Sequence, residues 1–250
     1  AWAQALHPNF NVKNKGYMLI VGSGQVVPGF MAKRDEFVTY PEVPDVVYYS
    51  DLRYANTAGN TLRPEIALGR IPWLGVSMLG VEALDTIINT ANGASGYTYN
   101  GSSALIAATG GNEGTLETVE ELIHKSGLDQ MKLVLNILGK PYEVQDQIGS
   151  DAPVDEWIDE FIAKTQGKSL IEWIGHGHTN GWGPFKKDKF SLYGGFGYSA
   201  PVLMGNSCLT GAYQASDTAV TALAEGASAY IGSTEISEMW TNSFTAPLLT

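Results

Sequence analysis

Continuous apolar runs of strand length alternate along the chain with segments whose apolar residues recur at helical spacing. The runs predict strands at residues 16–21, 45–50, 64–72, 104–109, 131–136, 169–174, 202–204 and 227–231. The periodic segments predict helices at residues 75–92, 115–126, 154–165 and 218–225, with Gly127 ending the second of them. Continuous apolar runs are typical of parallel strands buried on both faces. The alternation therefore predicts an α/β fold with a mostly parallel sheet and helices on both faces.

One stretch divides this pattern into two lobes. Residues 91–103 are the part of the chain richest in Gly, Asn and Ser, and Gly93 follows the first predicted helix where a C-cap glycine belongs. We therefore predict an N-terminal α/β lobe at residues 1–92 and a second lobe at residues 93–250.

Composition excludes several classes of function. The 250 residues carry a formal net charge of −11, whereas nucleic-acid binding requires clustered basic residues. No apolar run approaches the roughly 20 residues that a membrane span requires. The chain has one cysteine, Cys208, so it contains no internal disulfide.

That cysteine and two histidines follow neighbouring predicted strands. His176 and His178 come directly after the strand at 169–174, and Cys208 comes after the strand at 202–204. Ligands of open α/β sheets bind at the carboxyl ends of the strands. A cysteine needs a base nearby because an ordinary thiol is only a few per cent ionised at neutral pH. The sequence therefore predicts His176 as base, Cys208 as nucleophile, and the N–H groups of Gly177 and Cys208 as candidate oxyanion donors. The glycine would also let a substrate backbone approach closely.

Three alternatives remain open on these residues. His176 and His178 would begin a metal site if other ligands joined them, making the protein a metal-dependent hydrolase. Ser207 lies in a near match to the serine nucleophile elbow, which requires glycine where Leu209 stands. The fold would also serve as a catalytically silent binding module. We interpret His124, on a predicted helix face, as structural.

The order of His176-Gly177, a strand, and Cys208 resembles the caspase-like cysteine peptidases of clan CD. The runs at 64–72 and 49–54, the spacing from His176 to Trp182, and residues 229–234 with Trp240 resemble the gingipain family, peptidase family C25. This resemblance implies a caspase-like three-layer sandwich and a cysteine endopeptidase that forms an acyl-enzyme.

The resemblance also implies roles for individual residues. Cys208 would be the nucleophile and His176 the general base and acid, while Ser233, Thr234 and Trp240 would bind substrate. Glu113 would be the pocket acid, which favours a basic P1 side chain by charge pairing. Residues 109–111, Thr-Gly-Gly, stand where gingipains have an acidic residue near the histidine, so we expect a Cys-His dyad.

Partners and location follow from the resemblance alone. It implies a protein or peptide substrate, a propeptide or inhibitor as a further partner, and secretion or a cell-surface location. We expect no required cofactor and no catalytic metal. A structural calcium ion is implied by family analogy, with no ligands assigned.

Overall fold

The computed structural model of the chain describes residues 17–24, 26–33, 47–56, 66–71, 85, 88–90, 103–109, 117–148, 154–190, 199–212 and 218–234. The chain divides into two compact units, Ala1–Leu74 and Gly75–Thr250. The lobe boundary that we predicted at residues 92 and 93 lies outside the described residues and stays a prediction. The predicted helix at 75–92 is described only at residues 85 and 88–90, which are helical.

The described part of the first unit contains two pairs of strands and one short helix. Strand β1 (Tyr17–Val21) pairs in parallel with β4 (Ala67–Ile71). Strand β2 (Phe30–Lys33) pairs antiparallel with β3 (Val47–Ser50), and helix α1 (Leu52–Ala55) follows β3. The strands predicted at 16–21, 45–50 and 64–72 are therefore confirmed within the described residues, whereas β2 was not predicted.

Arg70 ties these elements together. Its guanidinium donates two hydrogen bonds of 2.6 Å to the two carboxylate oxygens of Asp51 and a third to the carbonyl of Gly22. A bidentate arginine–carboxylate pair fixes orientation as well as distance. β4 is thereby bonded to the turn that follows β1 and to the start of α1.

A parallel sheet of five strands forms the centre of the second unit. Its order is β12 (Ala229–Gly232), β11 (Val202–Asn206), β7 (Leu170–Ile174), β5 (Ala104–Thr109) and β6 (Tyr142–Gln147). The strand order reverses between β5 and β7, so the sheet has a topological switch point there. Every neighbouring pair in this sheet is parallel, which confirms the mostly parallel sheet predicted from the apolar runs.

Helices cover both faces of the sheet, giving three layers. Helix α2 (Glu117–Ile137) packs on one face against alternate residues of β5, including Ile106. Helix α3 (Val154–Thr165) covers the other face, where Leu105 and Trp173 belong to the same core cluster. Helix α4 (Thr218–Ala224) contributes to that second cluster. The alternation of side chains along each strand thus supplies both cores.

A small antiparallel sheet follows β7. Strands β8 (Gly177–His178), β9 (Gly181–Trp182) and β10 (Phe185–Lys186) pair in sequence and lead into a 3₁₀ turn at Lys187–Phe190. Trp182, Phe185 and Phe190 are buried in the core cluster on the α3 face, with Trp182 fully enclosed. Their burial holds the segment that carries both candidate histidines.

The predicted strand at 131–136 is wrong. Helix α2 continues through Gly127 to Ile137, because Leu128, Met131 and Leu135 recur at helical spacing and are fully buried on one face. A glycine inside a helix costs about 1 kcal/mol, which this burial outweighs. The strand that α2 leads to is β6, which we did not predict.

Candidate active site

The register between β7 and β11 brings the two candidate catalytic residues to one edge of the sheet. Ile174 pairs with Asn206, and Gly175 N–H donates to the Asn206 carbonyl at 3.4 Å. His176 therefore follows the end of β7 beside the turn in which Cys208 follows the end of β11. Cys208 is half-buried and in no disulfide, and the His176 side chain is exposed.

Gly177 packs directly against the turn that holds Cys208. A Cβ atom added to Gly177 would lie 2.5 Å from Ser207 Oγ and 2.6 Å from Thr210 Cγ2. Any larger residue would therefore push the histidine segment away from the cysteine turn. From the sequence we expected Gly177 to let a substrate approach closely, and this packing is a second reason why the position requires glycine.

A polar cluster packs against the turn that contains Cys208, and its members are Ser207, Thr210, Trp182 and Tyr230. Ser207 Oγ donates to Thr210 Oγ1 at 3.3 Å, and Trp182 Nε1 donates to the Tyr230 hydroxyl at 2.7 Å. Burial raises the pKa of Tyr230, an effect that its hydrogen bonds with Thr210 and Trp182 oppose, so the phenol stays protonated. A Cβ atom on Gly205 would lie 2.6 Å from Thr210 Oγ1, so the cluster fills the space beside β11.

Leu209 gives the Cys208 turn an unusual backbone. Its φ angle is 58°, in the left-handed region that glycine normally occupies. A leucine thus holds a turn position at which the backbone would favour glycine. Ser207 is 2% exposed and bonded to Thr210, which agrees with its interpretation as a small residue that the turn needs.

This strain predicts a reversed order of stability at position 209. Leu209→Ala and Leu209→Gly lose the same half-buried side chain, but only glycine relieves a left-handed conformation that costs about 1–2 kcal/mol. We expect the glycine variant to be the more stable by about 1 kcal/mol in urea unfolding, although glycine is ordinarily the less stabilising of the two. An alanine variant as stable as the glycine variant would show that the turn relaxes.

The backbone of His176 is held by a buried tryptophan. Trp173 Nε1 donates to the His176 carbonyl at 2.9 Å. Trp173 is fully buried and stacks on Trp182 with ring centroids 6.0 Å apart. The hydrophobic core thus connects directly to the residue proposed as base.

His178 is engaged by its own hairpin. Its Nδ1 accepts the Asn180 N–H at 3.0 Å, and its Nε2 lies 3.1 Å from Lys186 Nζ. Burial, followed by the positive charge of Lys186, lowers the pKa of His178, so the ring is neutral at pH 7. With protein partners at both ring nitrogens, His178 is a poor metal ligand, and the described residues contain no cluster of three metal-ligating side chains.

The candidate substrate-binding residues divide into two groups. Ser233 and Thr234 are half-buried and follow the end of β12, the neighbour of β11, and the Ser233 carbonyl accepts the Gly211 N–H at 2.8 Å. They therefore lie at the same edge of the sheet as Cys208. Glu113 and Trp240 lie outside the described residues.

His124 is a residue of this site that sequence reasoning missed. It lies in α2, is 6% exposed, and its ring contacts the ring of His176 edge-on, with centroids 6.3 Å apart. A signal was present, because His124 shares the apolar spacing of Leu128 and Met131 near the start of the helix that follows β5. That position lies at the carboxyl edge of the sheet.

Comparison with protein families agrees with this architecture. The sequence model of peptidase family C25 matches residues 4–247. The chain belongs to this family. No curated protein and no solved structure matches it.

Membership in family C25 establishes the coarse function. The chain is a cysteine-type endopeptidase of clan CD, and its three-layer sheet sandwich is the caspase-like fold predicted from the sequence. The gingipain-like resemblance is confirmed. The roles of individual residues in this C25 peptidase are proposals.

Proposed function

We propose that this C25 peptidase cleaves peptide bonds with a dyad of Cys208 and His176. The observation that supports this assignment is the parallel register of β7 with β11, in which Ile174 is the partner of Asn206. The chain's single cysteine and an exposed histidine then follow adjacent strand ends. The close packing of Gly177 on Ser207 keeps the two segments together.

The proposed reaction proceeds by acyl transfer. The Cys208 thiolate attacks the scissile carbonyl, and the resulting oxyanion accepts hydrogen bonds from the N–H groups of Gly177 and Cys208. His176 protonates the leaving amine and then takes a proton from the water that releases the acyl group. Stabilisation of the oxyanion requires backbone N–H groups that are fixed before the substrate arrives, because misplaced donors lose much of their effect.

We further propose that the substrate pocket prefers a basic P1 side chain. The support is the family resemblance, which assigns Glu113 as the pocket acid, and the position of Ser233 and Thr234 beside the nucleophile turn. Trp240 would form a wall of the same pocket. A carboxylate in a partly enclosed pocket favours an ammonium or guanidinium group over an acidic side chain.

Peptidyl chloromethyl ketones that differ only at P1 test both parts. We expect the reagent with P1 lysine to alkylate Cys208 at least about tenfold faster than the reagent with P1 aspartate, since a favourable charge pair contributes roughly 1.4 kcal/mol or more. Intact mass and peptide mapping identify the modified residue. Glu113→Ala should abolish the difference between the two reagents, and Glu117→Ala, a matched change in the same segment, should retain it.

Each other outcome has a defined meaning. Alkylation of Cys208 no faster than that of a free thiol would indicate the silent binding module. A preference for P1 lysine that survives in Glu113→Ala would overturn the pocket assignment but leave the dyad standing.

The partners of this peptidase are protein substrates. No described helix combines the length and the apolar character that crossing a bilayer would require. We propose secretion or a cell-surface location, a propeptide or inhibitor that controls the site, and a structural calcium ion, all on the family resemblance.

A further inference from the structure

We propose that His124 is a positioning residue that holds the His176 imidazole in its working orientation. The proposal rests on the proposed dyad and adds a third member to it, contributed by helix α2. The ring planes of His124 and His176 meet at 87°, with centroids 6.3 Å apart. Two imidazoles in edge-to-face contact restrict each other's rotation.

The His124 ring is itself fixed from the opposite side. Its Nδ1 lies 2.5 Å from the carbonyl oxygen of Thr109, the last residue of β5. A carbonyl accepts hydrogen bonds and cannot donate them, so Nδ1 must carry the hydrogen. In the neutral form of the ring, this bond leaves Nε2 as the acceptor. His124 is therefore a buried ring held in one orientation.

Position in the sheet explains why this histidine suits the role. Thr109 ends β5, and His176 follows β7. By contacting both residues, His124 bridges the two strand ends that flank the topological switch point. The His176 side chain is exposed and its backbone is bonded to Trp173, but a bond to the backbone does not itself set the broad χ2 torsion of the imidazole. A neighbour against the ring removes that freedom. In serine hydrolases a carboxylate orients the catalytic histidine, and here residues 109–111 are Thr-Gly-Gly.

Two substitutions separate the ring contact from the bond to Thr109. His124→Asn keeps an N–H donor close to the position of Nδ1 but removes the ring that contacts His176. His124→Phe keeps a ring and removes the donor. We expect His124→Asn to lower kcat on the order of 100-fold with KM unchanged, since small misplacements of a catalytic group have effects of this size. His124→Phe should recover part of that loss.

Controls keep a structural role distinct from a positioning role. The conclusion is drawn from the His124 variant whose melting temperature matches that of the wild-type protein. Lys125→Ala, an exposed change next to His124 in α2, should leave kcat unchanged. If kcat were unaltered in both His124 variants while His176→Ala abolished turnover, His124 would be structural. If His176→Ala also retained turnover, the proposed dyad itself would fail.

Alkylation of Cys208 gives a second readout that needs no substrate. A base close to a thiol raises the reactivity of that thiol, so we expect His124→Asn to lower the iodoacetamide rate at pH 6, relative to pH 9, by roughly tenfold. Glu121, Lys125, Asp129 and Lys132 in α2, Glu172 in β7 and His176 itself are all retained in the variant. An unchanged ratio of rates in a folded variant would overturn the proposal.

Discussion

Replacing His176 with alanine should lower kcat on the order of 10²- to 10⁴-fold, the usual contribution of a general acid and base. The loss should appear equally in kcat/KM, because proton transfer contributes only in the transition state. The His176 side chain is exposed, so the free energy of unfolding should change by less than about 0.5 kcal/mol. Hydrolysis of a peptide with P1 lysine, measured beside urea unfolding, provides both numbers.

His178→Ala is the matched control for this experiment. It removes the same kind of side chain two residues farther on, where the ring is bonded to Asn180 and close to Lys186. We expect kcat within a factor of a few of the wild-type value. Loss of activity in His178→Ala, together with loss of a stoichiometric zinc signal, would favour the metal-dependent hydrolase and contradict the dyad.

The sequence predicted those parts of the fold whose signal is local. β5, β7 and β11 are short apolar runs between turn-forming residues, and burial on both faces requires such a composition. β6 lies at the edge of the sheet, and four of the six residues in its sequence Tyr-Glu-Val-Gln-Asp-Gln are polar. It therefore contains no apolar run from which a strand could be predicted. The apolar residues at 131–136 have a strand-like composition, and only their packing on the sheet shows that they are helical.

The candidate site was predictable to a similar extent. His176 and Cys208 follow recognisable strands, and the parallel order of β7 and β11 makes them neighbours. The contact between His124 and His176 joins residues 52 positions apart through the crossing of α2 over the sheet, which periodicity does not encode. The left-handed φ angle of Leu209 was likewise hidden, since leucine does not favour that conformation.

Trp173 should be the core residue to which catalysis is most sensitive. Its indole N–H donates to the His176 carbonyl, and its ring stacks on Trp182, which in turn donates to Tyr230 beside the cysteine turn. Trp173→Phe removes that N–H and leaves a cavity. We expect the free energy of unfolding to fall by about 2–3 kcal/mol. This loss combines the cavity left by the smaller ring with the loss of one hydrogen bond.

The same substitution should lower kcat on the order of 100-fold, because loss of the bond from Trp173 lets the His176 loop shift relative to Cys208. Trp157→Phe separates this effect from general loosening of the core. Trp157 is 4% exposed and contacts Trp173 edge-on, yet its indole N–H has no hydrogen-bond partner in the described structure. Its replacement removes an unsatisfied donor, so we expect the free energy of unfolding to fall by only about 1 kcal/mol and kcat to stay near the wild-type value. Equal losses of kcat in the two variants would mean that core packing alone, rather than the bond to His176, positions the loop.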